Sequence, residues 1–440
     1  MSFILDLLYV FAGLAYSPVI IYRAIRHNRY RTGWGQRFGK ISRSNPVGKC
    51  IWLHAVSVGE VNAAKTVIDE LEKRFSDFEI VISTTTDTGF ARATHLFGKS
   101  HYVFYFPFDF SWVMRRAFSH IRPAMCLLME LEVWPNFVSV AQRLNVPVVV
   151  VNGRISDRSF SRYKRIKPFT ETVFRKVGLV LAQTDEYAER FGALGAQDII
   201  VTGSLKYDTA QVADKVEGAD ALAEQLVIGS QRLWVAGGTG PGEEAIVLDV
   251  YRNLKQQDEF SNLRLAIVPR KPERFDEVAQ LIEQSGFSLI RYSKVKEEAA
   301  EKSQIANRQS QIDAVILGDT MGDLRKFYCL ATVIFVGRTL VPMGGSDMME
   351  AAALGKCTIF GPHTFNFRQT VEVLVGGHGA IEVKDGVELL TAMKKCLSEP
   401  QYARTIAQAG QAVIRQNQGA TARTIEALSK MLCAKSGRNT

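Results

Sequence analysis

From Ile51 onward the chain alternates short apolar runs with longer amphipathic ones, and it does so twice. Strands are predicted at Ile51–Ala55, Glu79–Ser83, Met125–Met129, Pro147–Asn152 and Leu179–Gln183, with helices such as Asn62–Phe75 and Glu186–Leu194 between them. A second series begins near Trp234, with strands at Leu233–Ala236, Arg264–Val268, Ala314–Leu317, Val333–Val336 and Cys357–Phe360. Helices are expected there over Gly242–Leu254 and Pro272–Ser285. Strand–helix alternation of this kind requires parallel sheets covered by helices on both faces. At 440 residues the chain is too long for one ordinary core. The expectation is therefore an α/β protein of two doubly wound, Rossmann-like domains facing a cleft.

The polar, alanine-rich Tyr207–Gly229 reads as the interdomain region, and Ser293 to Gln311 as a mobile surface excursion. The division expected is a membrane anchor over 1–25, a first domain over 26–210, a linker over 211–230, a second domain over 231–425 and a tail over 426–440.

The N-terminus is different in kind. Phe3 to Tyr22 carries one charge, Asp6, and is long enough to cross a bilayer as a helix. Arg23, Arg26, Arg29, Arg31, Arg37 and Lys40 follow it, which places the following side in the cytoplasm by the positive-inside rule. A cleaved signal peptide would carry its charges first. A signal anchor that spans and a helix lying in the interface both remain open, since Asp6 and Pro18 interrupt the apolar run. The formal charge of +9 suggests an anionic partner, a membrane surface or phosphorylated substrate. No zinc finger, basic zipper or RNP-like pattern points to nucleic acid. The six cysteines form no CxxC pair and the seven histidines no metal spacing, so no metal or cofactor is expected.

Four clusters fall just past predicted strands, where open parallel sheets bind their ligands. Ser57-Val58-Gly59-Glu60 places a carboxylate at a helix start, as a cap or as a group facing a substrate. Met129-Glu130-Leu131-Glu132-Val133-Trp134-Pro135-Asn136 sets two acids after a buried strand. Gly203-Ser204-Leu205-Lys206 ends the first series with a cation suited to an anion. The second series contributes Ala236–Gly242, Pro269-Arg270, Gly318–Asp323 and Gly344–Glu350, glycines and charges at strand ends that suit a nucleotide. There is no GxSxG or P-loop. His54 reads as a packed core residue, and His363 stays undecided.

The segments His54–Glu60, Met129–Asn136, Asn152–Ser156 and Gly361–Phe367 closely resemble the 3-deoxy-D-manno-octulosonic acid (Kdo) transferases of Gram-negative bacteria. The resemblance runs to about residue 425. It implies a two-domain GT-B glycosyltransferase that moves Kdo from CMP-Kdo to lipid IVA, the lipid A precursor of lipopolysaccharide. The site would lie at the cytoplasmic side of the inner membrane, with inversion and no required metal. By the same resemblance Glu60 is the general base, and Glu130 and Lys206 stabilise the transition state. Pro269 and Arg270, the turn Met321-Gly322-Asp323, and Gly344, Gly345, Asp347, Met348, Met349 and Glu350 bind CMP. The basic run from Arg23 to Lys40 would meet the acceptor and inner-membrane lipid. One segment departs: the family commonly reads Gly-Gly-His-Asn-Pro-Leu-Glu where this chain has Gly-Gly-Ser-Asp-Met-Met-Glu from Gly344. A related GT-B envelope transferase with another lipid acceptor, or an inactive lipid-binding homologue, stays open.

Overall fold

The computed structural model describes residues 2–27, 32–43, 45, 47–300 and 313–436. The chain forms two compact units, residues 1–209 with 418–440, and residues 210–417. The second part of the expected surface excursion, from residue 301 on, lies outside the described residues, as do Arg29 and Arg31 and the side chain of Arg23. The excursion's first part is a helix, Tyr292–Ala300.

Unit 1 holds one parallel sheet of β1 (Lys49–His54), β2 (Phe78–Thr84), β3 (Tyr102–Tyr105), β4 (Met125–Met129), β5 (Val148–Gly153), β6 (Leu179–Ala182) and β7 (Ile199–Val201), in the order β3-β2-β1-β4-β5-β6-β7. Its central strands are buried along their whole length, which explains runs such as the four valines at 148–151. A strand covered on both faces has no polar side to show in its sequence. Trp52 anchors one face, its ring 5.0 Å from Phe137 and 5.3 Å from Phe118, with its indole N–H on Ser83 Oγ at 2.8 Å.

Unit 2 repeats the plan with β8 (Arg232–Thr239), β9 (Leu263–Pro269), β10 (Leu289–Arg291), β11 (Val315–Leu317), β12 (Val333–Val336), β13 (Cys357–Phe360) and β14 (Ile381–Glu382). The order is β10-β11-β9-β8-β12-β13-β14. In each sheet the chain fills one side of its first strand, in unit 2 with β11 inserted inside β10, and then jumps to the other side. That reversal, between β1 and β4 and between β8 and β12, is where such sheets open a crevice for ligands.

Two boundaries differ from expectation. The polar stretch after Tyr207 is not a free linker. It contains a helix, Ala219–Gln225, whose Leu222 is buried with Leu226 and Ile228 beyond it. Arg264, buried on β9, donates to the Leu226 carbonyl at 2.7 Å and ties the stretch to unit 2. The expected tail is a helix, Ala420–Ser436, that returns to unit 1 and buries Ala420, Ile425 and Leu428 in its core. The Asp208 carboxylate caps it by accepting from the Gly419 and Thr421 N–H groups.

The N-terminal apolar run is helical over Ser2–His27. No helix among the described residues is long and apolar enough to cross a membrane. Asp6 is turned onto unit 1, where Ser111 donates to it from N at 2.8 Å and Asn136 Nδ2 at 3.0 Å. One turn on, the Tyr9 hydroxyl donates to Asp109 at 3.0 Å. Phe3, Ile4, Leu7, Leu8, Phe11 and Leu14 are exposed.

Candidate active site

At the reversal of unit 1, three carboxylates gather from two loops. The first loop leaves β1 and turns into the helix Val58–Arg74, with Ser57 as N-cap. Ser57 Oγ takes the Glu60 N–H at 3.3 Å and donates to Glu60 Oε1 at 2.9 Å, while Val56 N–H donates to Glu60 Oε2 at 2.9 Å. This is a variant of the capping box. Both carboxylate oxygens are held, each by a single donor, so lone pairs remain to accept a proton. Capping and chemistry are therefore compatible at Glu60.

The second loop leaves β4. Glu130 is left-handed, at φ 54°, with its N–H fixed on the Val151 carbonyl at 2.9 Å. A non-glycine residue held there costs on the order of 1 kcal/mol, and such strain gathers at functional sites. Glu132 follows, accepting from the Trp134 indole N–H at 3.0 Å, and Pro135 opens the next helix. Burial raises the Glu60 carboxyl above its ordinary value, and the charge of Glu130 adds to that. Burial and then the charge of Glu60 push Glu132 up to about 7.

Beyond β5, Asn152 is also left-handed, at φ 57°, and its Oδ1 accepts the Leu205 N–H at 3.1 Å. That bond seats the short helix Leu205–Thr209, which carries Lys206. Lys206 and Arg154 are half-buried. His54 is fully buried, stacked 3.8 Å from Phe106, with Nδ1–H on the Ser83 carbonyl at 3.0 Å. Burial lowers its pKa to about 3, so it stays neutral, a core residue as the sequence reading has it. Arg37 departs from the basic run. It is buried, lies over the Tyr105 ring at 4.2 Å and donates to the Thr85 carbonyl, because a flat guanidinium can cover an aromatic face. Arg26 and Lys40 are exposed.

In unit 2 the corresponding loops leave β8 and β12. The glycine-rich loop over Ala236–Gly242 was expected to offer its N–H groups to an external anion. Instead, Glu243, fully buried, accepts from Gly240 N at 3.0 Å, Thr339 N at 2.7 Å, Leu340 N at 2.9 Å and also from Arg338 N. A carboxylate of the chain takes one N–H of this loop and three of the loop after β12, and so staples the two together. Gly344 and Gly345 are both left-handed, at φ 89°, and Asn366 and Phe365 press on Gly344 so closely that a Cβ would collide. This is how Gly361–Phe367 comes to lie on the glycine pair, with His363 N–H on the Thr339 carbonyl at 2.9 Å.

Asp347 caps the helix Met348–Ala353 through the Met349 N–H at 2.9 Å, and Glu350 lies half-buried in its first turn. Burial raises the Glu350 carboxyl, Asp347 raises it further, and Arg325 and Arg270 oppose the rise. Tyr328 is fully buried against Gly237 within the field of the same three charges, Glu350, Asp347 and Arg270. Arg270, exposed at the end of β9 after Pro269, lines a small pocket with Lys271, Arg338 and Thr239. Of the turn at 321–323, Gly322 is left-handed at φ 90° and Met321 is exposed. Asp323 is committed inward, to Lys326 at 2.7 Å and Lys296 at 2.9 Å, with its pKa held down to about 2. Its backbone neighbours, not its carboxylate, are what this turn presents.

Sequence reasoning assigned no role to Glu132, Glu243, Arg338 or Tyr328. The strand-end rule places Glu132 in its cluster without a role of its own, and it would also have found Arg338. Nothing local marks Tyr328. Among the described residues no three His, Cys, Asp or Glu side chains come together as a metal site.

A family model described as 3-Deoxy-D-manno-octulosonic-acid transferase (kdotransferase) matches residues 32–209. The 3-deoxy-D-manno-octulosonic acid transferase of Haemophilus influenzae is 32% identical over 416 residues, covering 93% of each chain. That of Bordetella pertussis is 31% identical over 404 residues, 90% of this chain and 91% of the relative. Among solved structures, a glycosyltransferase from Rickettsia africae aligns with a TM-score of 0.55 at 13% identity, over 88% of this chain and 99% of its own. At that identity the likeness concerns the fold alone, two parallel-sheet α/β units resembling GT-B glycosyltransferases.

Proposed function

Because the chain belongs to the Kdo transferases and is a glycosyltransferase, we propose that it transfers Kdo from CMP-Kdo to lipid IVA, with inversion and with Glu60 as general base. The observation that carries this reading is the carboxylate trio at the reversal of the unit 1 sheet. An acid there repels a phosphate but suits the proton of an acceptor hydroxyl. In the proposed step the acceptor oxygen bonds to the anomeric carbon, the bond from that carbon to the CMP phosphate breaks, and CMP leaves with the electron pair. The hydroxyl proton passes to a free lone pair of Glu60, a role worth roughly 10²–10⁴-fold in rate.

Glu60 is suited to this because it is fixed by two donors and made more basic by burial. Lys206 supplies positive charge to the developing anion, and Glu130 offsets positive charge at the anomeric centre. On unit 2, Pro269 and Arg270, the backbone of Met321–Asp323 and the segment Gly344–Glu350 hold CMP. Arg270 meets phosphate, and Glu350 takes ribose hydroxyls. Asp347, a cap in this chain, leaves Glu350 free for that role.

The same proposal sets the enzyme on the cytoplasmic side of the inner membrane, attached through Ser2–His27. The exposed Phe3, Leu7, Phe11 and Leu14 and the cations Arg26 and Lys40 support it. The test is incubation with CMP-Kdo and lipid IVA, read by product mass. Wild type is expected to give glycosylated lipid and Glu60→Ala nearly none. A clear preference for UDP over CMP in a binding titration would overturn the donor assignment.

A further inference from the structure

A second site lies in unit 1, away from the carboxylates. The helices Ser111–Ile121 and Pro135–Arg143 end side by side around a cavity of about 490 Å³, just ahead of β4 and β5. Phe118 and Val140 form its apolar floor, Leu144 lies at its rim, and Arg115, Arg122 and Arg143 stand around it. No carboxylate lines it. Arg115 and Arg143 make no ion pair or hydrogen bond among the described residues, and Arg122 bonds only within its own helix, to the Ser119 carbonyl. Burial first, and then the charge of Arg143, lower the pKa of the neighbouring Lys176. Arginines near helix ends are commonly explained by the dipole. Arg115 sits in the middle of its helix and escapes that account.

Three unpaired guanidinium groups over an apolar floor fit a ligand with an anionic head and an apolar body. The same helix indicates where such a ligand comes from. Trp112, Arg115 and Ser119 share one face, at spacings of three and seven residues. Trp112 is 47% exposed and stacks 6.1 Å from Phe38, which stacks on Trp34, itself 43% exposed. The residue before Trp112, Ser111, holds Asp6 of the apolar N-terminal helix. Exposed aromatic rings of this kind seat at the headgroup level of a bilayer. From Trp112 to Arg122 the helix advances about 15 Å.

We propose that this cavity is an anionic-phospholipid site, its phosphate held by Arg115, Arg122 and Arg143 and its acyl portion lying on Phe118, Val140 and Leu144. It is separate from the acceptor and donor sites, and it rests on the membrane apposition proposed above only for its choice of occupant. The full chain is floated with phosphatidylcholine vesicles with and without phosphatidylglycerol. The variant R115Q/R122Q/R143Q is expected to lose the preference for anionic vesicles by on the order of a hundredfold. The charge-matched control K384Q/K394Q/R404Q on unit 2 is expected to keep it. Leu144→Glu, at a rim position 53% exposed and tolerant of a polar group, is expected to weaken anionic binding without loss of fold. Retained preference in the triple variant or in Leu144→Glu overturns the proposal, as does an equal loss in the control. Release by inorganic phosphate at the lipid's own headgroup concentration would make this a free-anion site and overturn it too. Transfer to detergent-dispersed acceptor is expected to stay unchanged in all three variants, so this result and the transfer reading fail independently.

Discussion

Each unit is a seven-stranded parallel sheet with one point of reversal beside its first strand, yet the two place different charge at it. Unit 1 brings Glu60, Glu130 and Glu132 to the loops after β1 and β4, with few donors to spare for them. Unit 2 brings glycines and Arg270, Lys271 and Arg338 to the loops around β8, β9 and β12. Its buried acids, Glu243, Glu244, Asp319 and Asp323, are consumed by backbone N–H groups, arginines and lysines. The fold supplies a location; the residues at the strand ends decide which ligand charge that location tolerates. In the proposed function this division lets unit 1 receive a proton and unit 2 hold a phosphate.

The comparison breaks most readily at Glu60. Glu60→Gln keeps the size and can still accept at one oxygen, but it cannot take a proton at neutral pH. Its kcat should fall roughly 10²–10⁴-fold with donor KM nearly unchanged. A drop confined to KM would move the base elsewhere. On unit 2, Arg270→Ala should weaken CMP binding about 10–100-fold in a titration, the usual worth of a charge-assisted bond. If CMP affinity holds, the anion site is not at the end of β9.

Glu243→Gln tests the staple between the two unit 2 loops. A neutral amide has one acceptor oxygen for four N–H groups, so stability should drop by about 1–3 kcal/mol, measured by denaturant unfolding. A stabilised variant with tighter phosphate binding would mean that Glu243 occupies an anion's place. The smallest effect concerns Glu132. A carboxyl raised to about 7 favours its neutral form in the folded state. Stability from this group is full below the unfolded carboxylate value and is lost as pH rises toward 7. Wild type should therefore lose on the order of 1–2 kcal/mol between pH 5 and pH 8 that Glu132→Gln does not lose. Equal pH profiles would show that Glu132 is better solvated than its burial suggests.

Much of this was legible in the chain itself. Met125–Met129, Val333–Val336 and Cys357–Phe360 have the bounds their apolar runs announce, because a strand buried on both faces cannot hide in a sequence. The short edge strands β3, β7, β10 and β14 were missed, since two to four residues are too few to show a period. Glu60, Glu130, Lys206 and Arg270 were singled out because each follows a strand. Arg37 was misread because counting charges does not show which guanidinium lies on a ring.

Sequence alone determined the two α/β units, the strand-end clusters proposed as sites and the apolar N-terminal helix. All of these follow from local periodicity and from residues near one another in the chain. Tertiary structure decided the rest. It made Glu243 the staple between the loops after β8 and β12 and returned Ala420–Ser436 to unit 1. It gathered Glu60 with Glu132, 72 positions later, so that the charge of Glu60 raises the Glu132 carboxyl. Electrostatic and packing energies depend on distance in space, and the order of residues does not record that distance until the sheet fixes it.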